Sequence, residues 1–316
     1  MAGITALGTT YNLPNYTGIL HQLTPSDTPF FSAIGGLTGG GQTDSIEFEW
    51  QTYDLRAAGQ NTKLEGADAP AESERVRASV NNIVQIQHET VGVSYTKLAA
   101  TQVKAGINNA ERNTILNELD WQVEQMLKQM VRDIEFSFIQ GTYLKPADNT
   151  TARRTRGLLQ AITTNVIANA PAGALTEDMV LDLLQMAWDN GGIQEQETAT
   201  LLTNSTQKRN LTRIFVTDKN YQEQSRTVGG VRVQTIETDF GTLNIMLDRH
   251  MPADQIAVVS LDQCMPVYQE IPGKGHFFAE PLARTGAKDR TQLYGEVGLK
   301  YGNERTHGKI TGLLAA

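Results

Sequence analysis

One stretch of this chain constrains its fold more than any other. Between residues 110 and 140, Ile115, Leu119, Val123, Met126, Leu127, Met130, Ile134 and Phe138 recur at spacings of three and four. That spacing brings each side chain to one face of an α-helix. Glu124 and Lys128 stand four residues apart on the outer side, a favourable ion pairing. Gly141 supplies a stop. At 1.5 Å per residue such a helix would extend roughly 45 Å. Sustained heptads are absent, so it reads as a single spine laid along a sheet and not as a coiled coil.

The residues before the spine read as a long β-hairpin over 44–95. Ile46, Phe48 and Trp50 alternate with Glu47, Glu49 and Gln51, the period of a strand with one covered face. The returning limb carries Val76, Ala78 and Val80, then Val84 and Ile86. Val91, Val93 and Tyr95 sit on the opposite parity, and Gly92 is the expected bulge where the face switches. Residues 56–73 between the limbs are rich in Ala, Gly and charge and form a polar tip. A lone two-stranded ribbon is marginal in water. This one must rest on another surface, and its length suits a surface on a second subunit.

Residues 1–43 read as an arm outside any compact core. Pro14, Pro25, Pro29 and the run Gly35-Gly36-Leu37-Thr38-Gly39-Gly40-Gly41 break periodicity. Leu13, Tyr16, Ile19, Leu20, Leu23, Phe30, Phe31 and Ile34 are nevertheless too apolar for a plain disordered tail. The arm is expected to lie on its own body or on a neighbour.

Residues 157–272 read as an α/β module. Thr176 can cap a helix that runs to about Asn190, with Val180, Leu183, Leu184, Ala187 and Trp188 on its apolar face and Gly191-Gly192 at its end. Thr200-Leu201-Leu202-Thr203 is a short buried strand, followed by a helix from Asn204 or Ser205 that uses Leu211 and Ile214. Val231 with Val233, and Leu243, Ile245 and Leu247, suggest two strands joined near Asp239-Phe240-Gly241. Ile256 to Val259 is another short strand. Residues 276–314 return to β structure: Leu293, Val297, Leu299 and Tyr301 share one parity, and Gly302-Asn303 suits a two-residue hairpin turn into a strand from Glu304 to Leu313.

Composition excludes several classes. Hydrophobic residues make up 40% and charged residues 20%, a globular balance. No apolar run approaches the ~18 residues of a transmembrane helix. The start, Met1-Ala2-Gly3-Ile4-Thr5, lacks a signal peptide's basic and apolar regions. Cys264 is the lone cysteine, so no intrachain disulfide can form, and a reducing cytoplasm suits folding. The net charge of −8 gives no broad basic surface for gripping phosphates. Its one dense basic run, Arg153-Arg154-Thr155-Arg156, reads as a solvated turn or a subunit contact.

The sequence nominates no catalytic, cofactor or metal site. His21, His88, His250, His276 and His307 do not pair at ligand spacing with one another or with the cysteine, and each reads as a surface or interface residue. Gly273-Lys274-Gly275 lacks the rest of a phosphate-loop pattern and reads as a turn. Glu47 and Glu49 share a strand face, as ordinary solvated residues do.

The order of parts is distinctive, and so are four stretches. These are Leu23-Thr24-Pro25-Ser26-Asp27-Thr28-Pro29-Phe30 with Ile34-Gly35; Glu135-Phe136-Ser137-Phe138-Ile139-Gln140-Gly141 with Arg154-Thr155-Arg156-Gly157-Leu158; Thr238-Asp239-Phe240-Gly241-Thr242-Leu243 with Asp248-Arg249-His250-Met251-Pro252; and Tyr294-Gly295-Glu296-Val297-Gly298-Leu299. As an ordered set covering nearly the whole chain, they resemble the Johnson fold of tailed-bacteriophage major capsid proteins, and in particular the major head proteins of actinobacterial phages. No single stretch is specific alone.

The resemblance implies an α+β subunit with an N-terminal arm over 1–43 and an E-loop over 44–95. It implies a peripheral domain over 96–156 and 273–316, with the spine helix at about 110–140, and an axial domain over 157–272. It further implies a non-enzymatic subunit without cofactor or metal. Such a subunit would build hexamers and pentamers of an icosahedral head that encloses double-stranded DNA without reading its sequence, with no membrane involved. The chain starts directly with the arm, so a scaffolding protein is expected to be separate; a portal and a decoration protein are further expected partners. Assembly is expected in the host bacterial cytoplasm and final residence in the virion. In some such shells a loop lysine bonds to a neighbour's asparagine with the help of a glutamate. Lys63, Asn303 and Glu304 are the candidates here, although a solvated lysine is the simpler reading. Other readings stay open: an encapsulin-type nanocompartment shell, a tail or decoration protein, or an enzyme built on 157–272.

Overall fold

A computed structural model describes residues 26–99, 118–193, 199–217 and 235–315. The chain opens with α1 (Pro29–Ala33), β1 (Gly41–Thr43), β2 (Glu47–Tyr53), β3 (Arg77–Ile83), β4 (Gln85–Ser94) and α2 (Tyr95–Ala99). The spine follows as α3 (Glu118–Gln140). Then come α4 (Leu158–Ala161), β5 (Val166–Gly173), α5 (Glu177–Asp189), β6 (Ala199–Thr203) and α6 (Ser205–Thr212). The remaining strands are β7 (Thr235–Thr238), β8 (Gly241–Leu247), β9 (Ile256–Ser260), β10 (Met265–Gln269), β11 (Phe277–Pro281), β12 (Lys288–Lys300) and β13 (Gly308–Leu313).

These elements form two compact units. The described part of the smaller one comprises residues 26–27, 89–99, 118–129 and 279–293. Within it Tyr95 N donates to Ala287 O at 3.2 Å and Leu282 N to Arg290 O at 2.9 Å. The expected Glu124–Lys128 pair forms at 2.7 Å. Gln87, Val91 and Val93 keep one buried parity on either side of Gly92 in β4, so the expected face switch is not there.

The described part of the larger unit comprises residues 28–88, 130–193, 199–217, 235–278 and 294–315. Its six-stranded sheet runs β5-β13-β9-β6-β8-β7. The central β9 shows why its residues form a strand. Ile256 and Val258 point into a cluster with Leu183, Leu184 and Ile310, while Ala257 and Val259 point the other way, into a cluster with Phe138, Leu158 and Tyr301. Period two with both faces covered gives the continuous apolar run seen in the sequence. Leu201 and Leu202 divide between the same two clusters. On one face lies α5, capped as expected by Thr176, whose hydroxyl accepts from Met179 N at 3.3 Å. Trp188 departs from expectation: it is 56% exposed on the outside of α5.

Several other expectations are corrected. Residues 28–43 are not an arm outside the core. Pro29 starts a short helix whose Phe30 and Phe31 are 0% and 1% exposed within the main cluster. Each such burial is worth about 1.5–3 kcal/mol. The face switch of the 44–95 segment falls at Val84, between β3 and β4, where Ile83 and Val84 are successive buried residues. The Gly302-Asn303 hairpin does not form. Residues Glu304–Thr306 make a single 3-10 turn, and β13 leaves β12 to pair with β5 and β9, so 308–313 belongs to the six-stranded sheet. β12 instead pairs with β10, in a sheet ordered β1-β10-β12-β11 that also receives β4. Residues 110–117 of the expected spine, the arm residues Leu13 to Leu23, His21, and Val231 with Val233 lie outside the described residues.

Candidate assembly interface

The ribbon of β2 and β3 is antiparallel, in register from Glu47 opposite Ile83 to Tyr53 opposite Arg77. Every residue from Tyr53 to Ser79 is exposed. That stretch includes Tyr53, Leu55, Leu64 and Val76, at 67–84% exposure. None of the four belongs to either hydrophobic cluster.

The ribbon's root is fixed as firmly as its tip is bare. Asn82 is 0% exposed and all its side-chain hydrogen-bonding capacity is used. Its Nδ2 donates to Leu299 O at 2.7 Å and Arg156 O at 3.1 Å, and its Oδ1 accepts from Ile83 N at 2.9 Å and Arg156 N at 2.8 Å. Trp50 Nε1 donates to Gly302 O at 2.7 Å, and its ring meets Tyr301 edge-on at 4.9 Å between centroids. Phe48 stacks on Trp50. It also occupies the space a side chain at Gly298 would need, since a Cβ there would lie 2.7 Å from the Phe48 ring and from Ile83 O. Glu47 pairs with Lys145 and accepts from Asn81 Nδ2; the Lys145 hydrogen bond holds its carboxyl below the usual range.

The basic run is not a solvated turn. Arg153 Nε donates to Val84 O at 2.8 Å, and its guanidinium pairs with Glu296. Arg156 donates to Tyr301 Oη at 3.0 Å and lies over the Tyr143 ring at 4.5 Å. Two of its three arginines therefore brace the ribbon root from within the same chain. Their partners stand up to 145 residues away in sequence, which local reading cannot find.

An open groove of about 480 Å³ lies beside the ribbon, between Tyr53, Asp54 and Val76, the end of α5 at Asp189 and Asn190, and the turn Asn303 to Arg305. It brings Asn303 and Glu304 together. Asn303 Oδ1 accepts from Arg305 N at 3.2 Å. Glu304 accepts from Thr163 N and Thr164 N, both at 3.1 Å, and from the Thr164 hydroxyl. Burial alone would raise the Glu304 pKa, but these donors outweigh it and hold the carboxyl below its usual range. Lys63 stands exposed on the ribbon tip, and among the described residues no hydrogen bond or ion pair joins it to either. The groove offers acids and one arginine, but no nucleophile beside a base.

The histidines divide. His250 meets Phe136 edge-on, and His276 lies within 3.1 Å of Gln42 Nε2. His307, expected at a surface or interface, is instead fully buried. Its Nδ1 accepts from Ser260 N at 3.2 Å, which leaves Nε2–H to donate to Tyr301 O at 2.7 Å. Burial lowers its pKa, keeping the ring neutral in this tautomer. Gly273-Lys274-Gly275 forms the expected turn, closed by the Ile271–Gly275 bridge. Among the described residues no group of three or more His, Cys, Asp or Glu could hold a metal ion. No helix among them is long and apolar enough to cross a membrane.

A family model described as the SU10 major capsid protein matches residues 3–314. No curated protein matches the chain. Among solved structures the chain is similar to the capsid of cyanophage A-1(L), with a TM-score of 0.67 at 12% identity over 98% of this chain and 99% of that one. It is similar to a chain of Mycobacterium phage Cain, with a TM-score of 0.62 at 12% identity over 100% of both. It is also similar to the holo-SrpI encapsulin complex of Synechococcus elongatus PCC 7942, with a TM-score of 0.58 at 12% identity over 98% and 95%. At such identities the likeness is one of fold, the Johnson fold of the expectation.

Proposed function

The chain belongs to the SU10 major capsid protein family, and on that premise we propose that many copies of it close the icosahedral head of a tailed phage around double-stranded DNA. The observation that carries this reading is the ribbon. Its root is fully bonded, while its tip is exposed from Tyr53 to Ser79 with four large apolar side chains bare. A root so braced holds the tip out for a neighbour instead of folding it back. Closed shells repeat such contacts around each symmetry axis, so weak individual contacts add up.

In this reading residues 44–95 are the E-loop, and the arm proper ends near residue 27, since 28–43 belong to the larger unit. Residues 157–272, joined by the strand 308–313 through its sheet, form the axial domain; 96–156 and the rest of 273–316 form the peripheral domain. The subunit performs no catalysis and needs no cofactor. A separate scaffolding protein, a portal and a decoration protein are its partners, assembly occurs in the host bacterial cytoplasm, and the product resides in the virion. The net charge of −8 favours a container that holds DNA without gripping it.

An encapsulin-type compartment is the second reading, favoured by the fold shared with the SrpI complex. Electron microscopy of particles formed by the chain with its neighbouring genes separates the two. DNA-filled heads with a tail vertex support the capsid reading, and closed shells around a protein cargo support the other.

A further inference from the structure

Glu135, on α3, is 0% exposed, and its neighbours Ile134 and Phe138 belong to the main hydrophobic cluster. Its two oxygens accept the backbone N–H groups of Phe30 at 2.8 Å and Phe31 at 2.6 Å, the orphan donors of the first turn of α1. A second carboxyl, Asp248, lies against it and is itself 2% exposed. Asp248 Oδ1 accepts from His250 N at 2.7 Å, but its buried Oδ2 has no donor. Two ionised carboxylates held together without water are strongly unfavourable. One proton between them removes the repulsion and gives Oδ2 its missing partner.

We propose that Glu135 and Asp248 hold a single proton between them, and that this proton is a switch that keeps α1 seated at neutral pH and releases it in alkaline solution.

The surroundings leave that proton few competitors. α1 carries no titratable side chain, and neither do α4 nor β9. The same cluster also holds Cys264, Tyr268 and Tyr301, and burial raises the Cys264 thiol and the Tyr268 phenol above their ordinary values, which keeps both neutral. Arg132 and Asp133 on α3, and Arg249 and His250 after Asp248, are the nearest charged or titratable residues in sequence, and only Asp248 acts on Glu135. Burial pushes the Glu135 carboxyl up to about 9, Asp248 adds to the rise, and the two amides oppose it without winning. The folded value thus lies above the unfolded value of 4.5. The stabilisation is complete below that value and is lost as pH rises through the folded one. Once both groups are ionised, Glu135 cannot stay beside Asp248 while bonding α1, and Phe30 and Phe31 lose their anchor.

This inference stands on the carboxyl pair and not on the shell reading. Infrared spectroscopy of the full chain at neutral pH should show the C=O stretch of a buried protonated carboxyl, absent from Glu135→Gln. Hydrogen exchange at Phe30 and Phe31, corrected for the intrinsic base-catalysed rate, should accelerate relative to Ile134–Ile139 as pH approaches about 10. Asp248→Asn keeps an acceptor for His250 N and offers Glu135 a permanent donor, so the variant should lose that acceleration. An unmodified chain without the protonated-carboxyl band, or an α1 whose exchange tracks α3 at every pH, overturns the proposal. Should either variant fail to fold, the spectrum and exchange of the unmodified chain decide alone.

Discussion

Trp50 and Tyr301 meet edge to face at 4.9 Å, on the spot where Trp50 Nε1 reaches the carbonyl of Gly302. The ribbon is thereby joined to the turn that ends β12. Trp50→Phe removes the hydrogen bond while keeping most of the contact, and should cost about 1 kcal/mol. Trp50→Ala removes both and should cost about 2–4 kcal/mol, less than a fully buried tryptophan because the ring is part-exposed. Urea denaturation of the two variants measures the difference, and equal costs would contradict the latch.

Asn82→Leu should be worse than its size suggests. It strands the N–H groups of Ile83 and Arg156 and the carbonyl of Leu299 in a dry site. The expected loss is about 3–4 kcal/mol, read from the shift in denaturation midpoint at constant slope. A loss below about 1 kcal/mol would mean that water reaches the root.

Gly298→Ala places a methyl group against Phe48 and Ile83 O, both at 2.7 Å. Backbone cannot yield as a flexible side chain does, so β3 or β12 must move, at a cost of about 1–3 kcal/mol. Gly273→Ala is a control at a turn with open space around the added carbon. Only the strain of its φ of 79° should register there. Thermal melts of both compare crowding with backbone strain.

His307 gives stability a second pH dependence, opposite in sign to that of Glu135. Its folded pKa lies below the ordinary 6.5, so the unfolded chain binds the proton first. Its contribution is present above about 6.5 and is lost as pH falls below that value. Between pH 7.5 and about 5 this loss opposes the gain from Glu135, so His307 is isolated by difference: unfolding free energies of the unmodified chain and His307→Gln should diverge in slope below about 6.5, the variant gaining more stability with acidity. Identical slopes for the two would contradict a neutral buried ring.

Mature particles should run as monomers on a denaturing gel. Glu304 already accepts from Thr163 and Thr164, and Asn303 Oδ1 is held by Arg305 N, so neither stands poised to join Lys63. A ladder of covalent oligomers, abolished by Lys63→Arg, would instead make those three residues a crosslinking set.

The sequence speaks clearly where a signal is local and repeated. The three-four spacing of α3, the Thr176 cap of α5 and the apolar run of β9 each depend on neighbours within a few turns. It misleads where partners are distant. Gly302-Asn303 looks like a hairpin turn, but β13 chooses β5 and β9, a choice set by tertiary packing. Phe30 and Phe31 look like arm anchors because a five-residue helix is too short to show a period, and because its cap, Glu135, is 104 and 105 residues away. His307 reads as a surface residue since only the fold reveals Ser260 and Tyr301 around it. As for the interface, the exposed tip was legible in its composition, whereas the network bracing its root was not.

The most direct test of the central claim is cryo-electron microscopy of particles made by the chain together with its neighbouring genes. Closed icosahedral shells should appear, with density for residues 54–76 lying against an adjacent copy. A chain that stays monomeric at high concentration and is absent from virions would contradict the account.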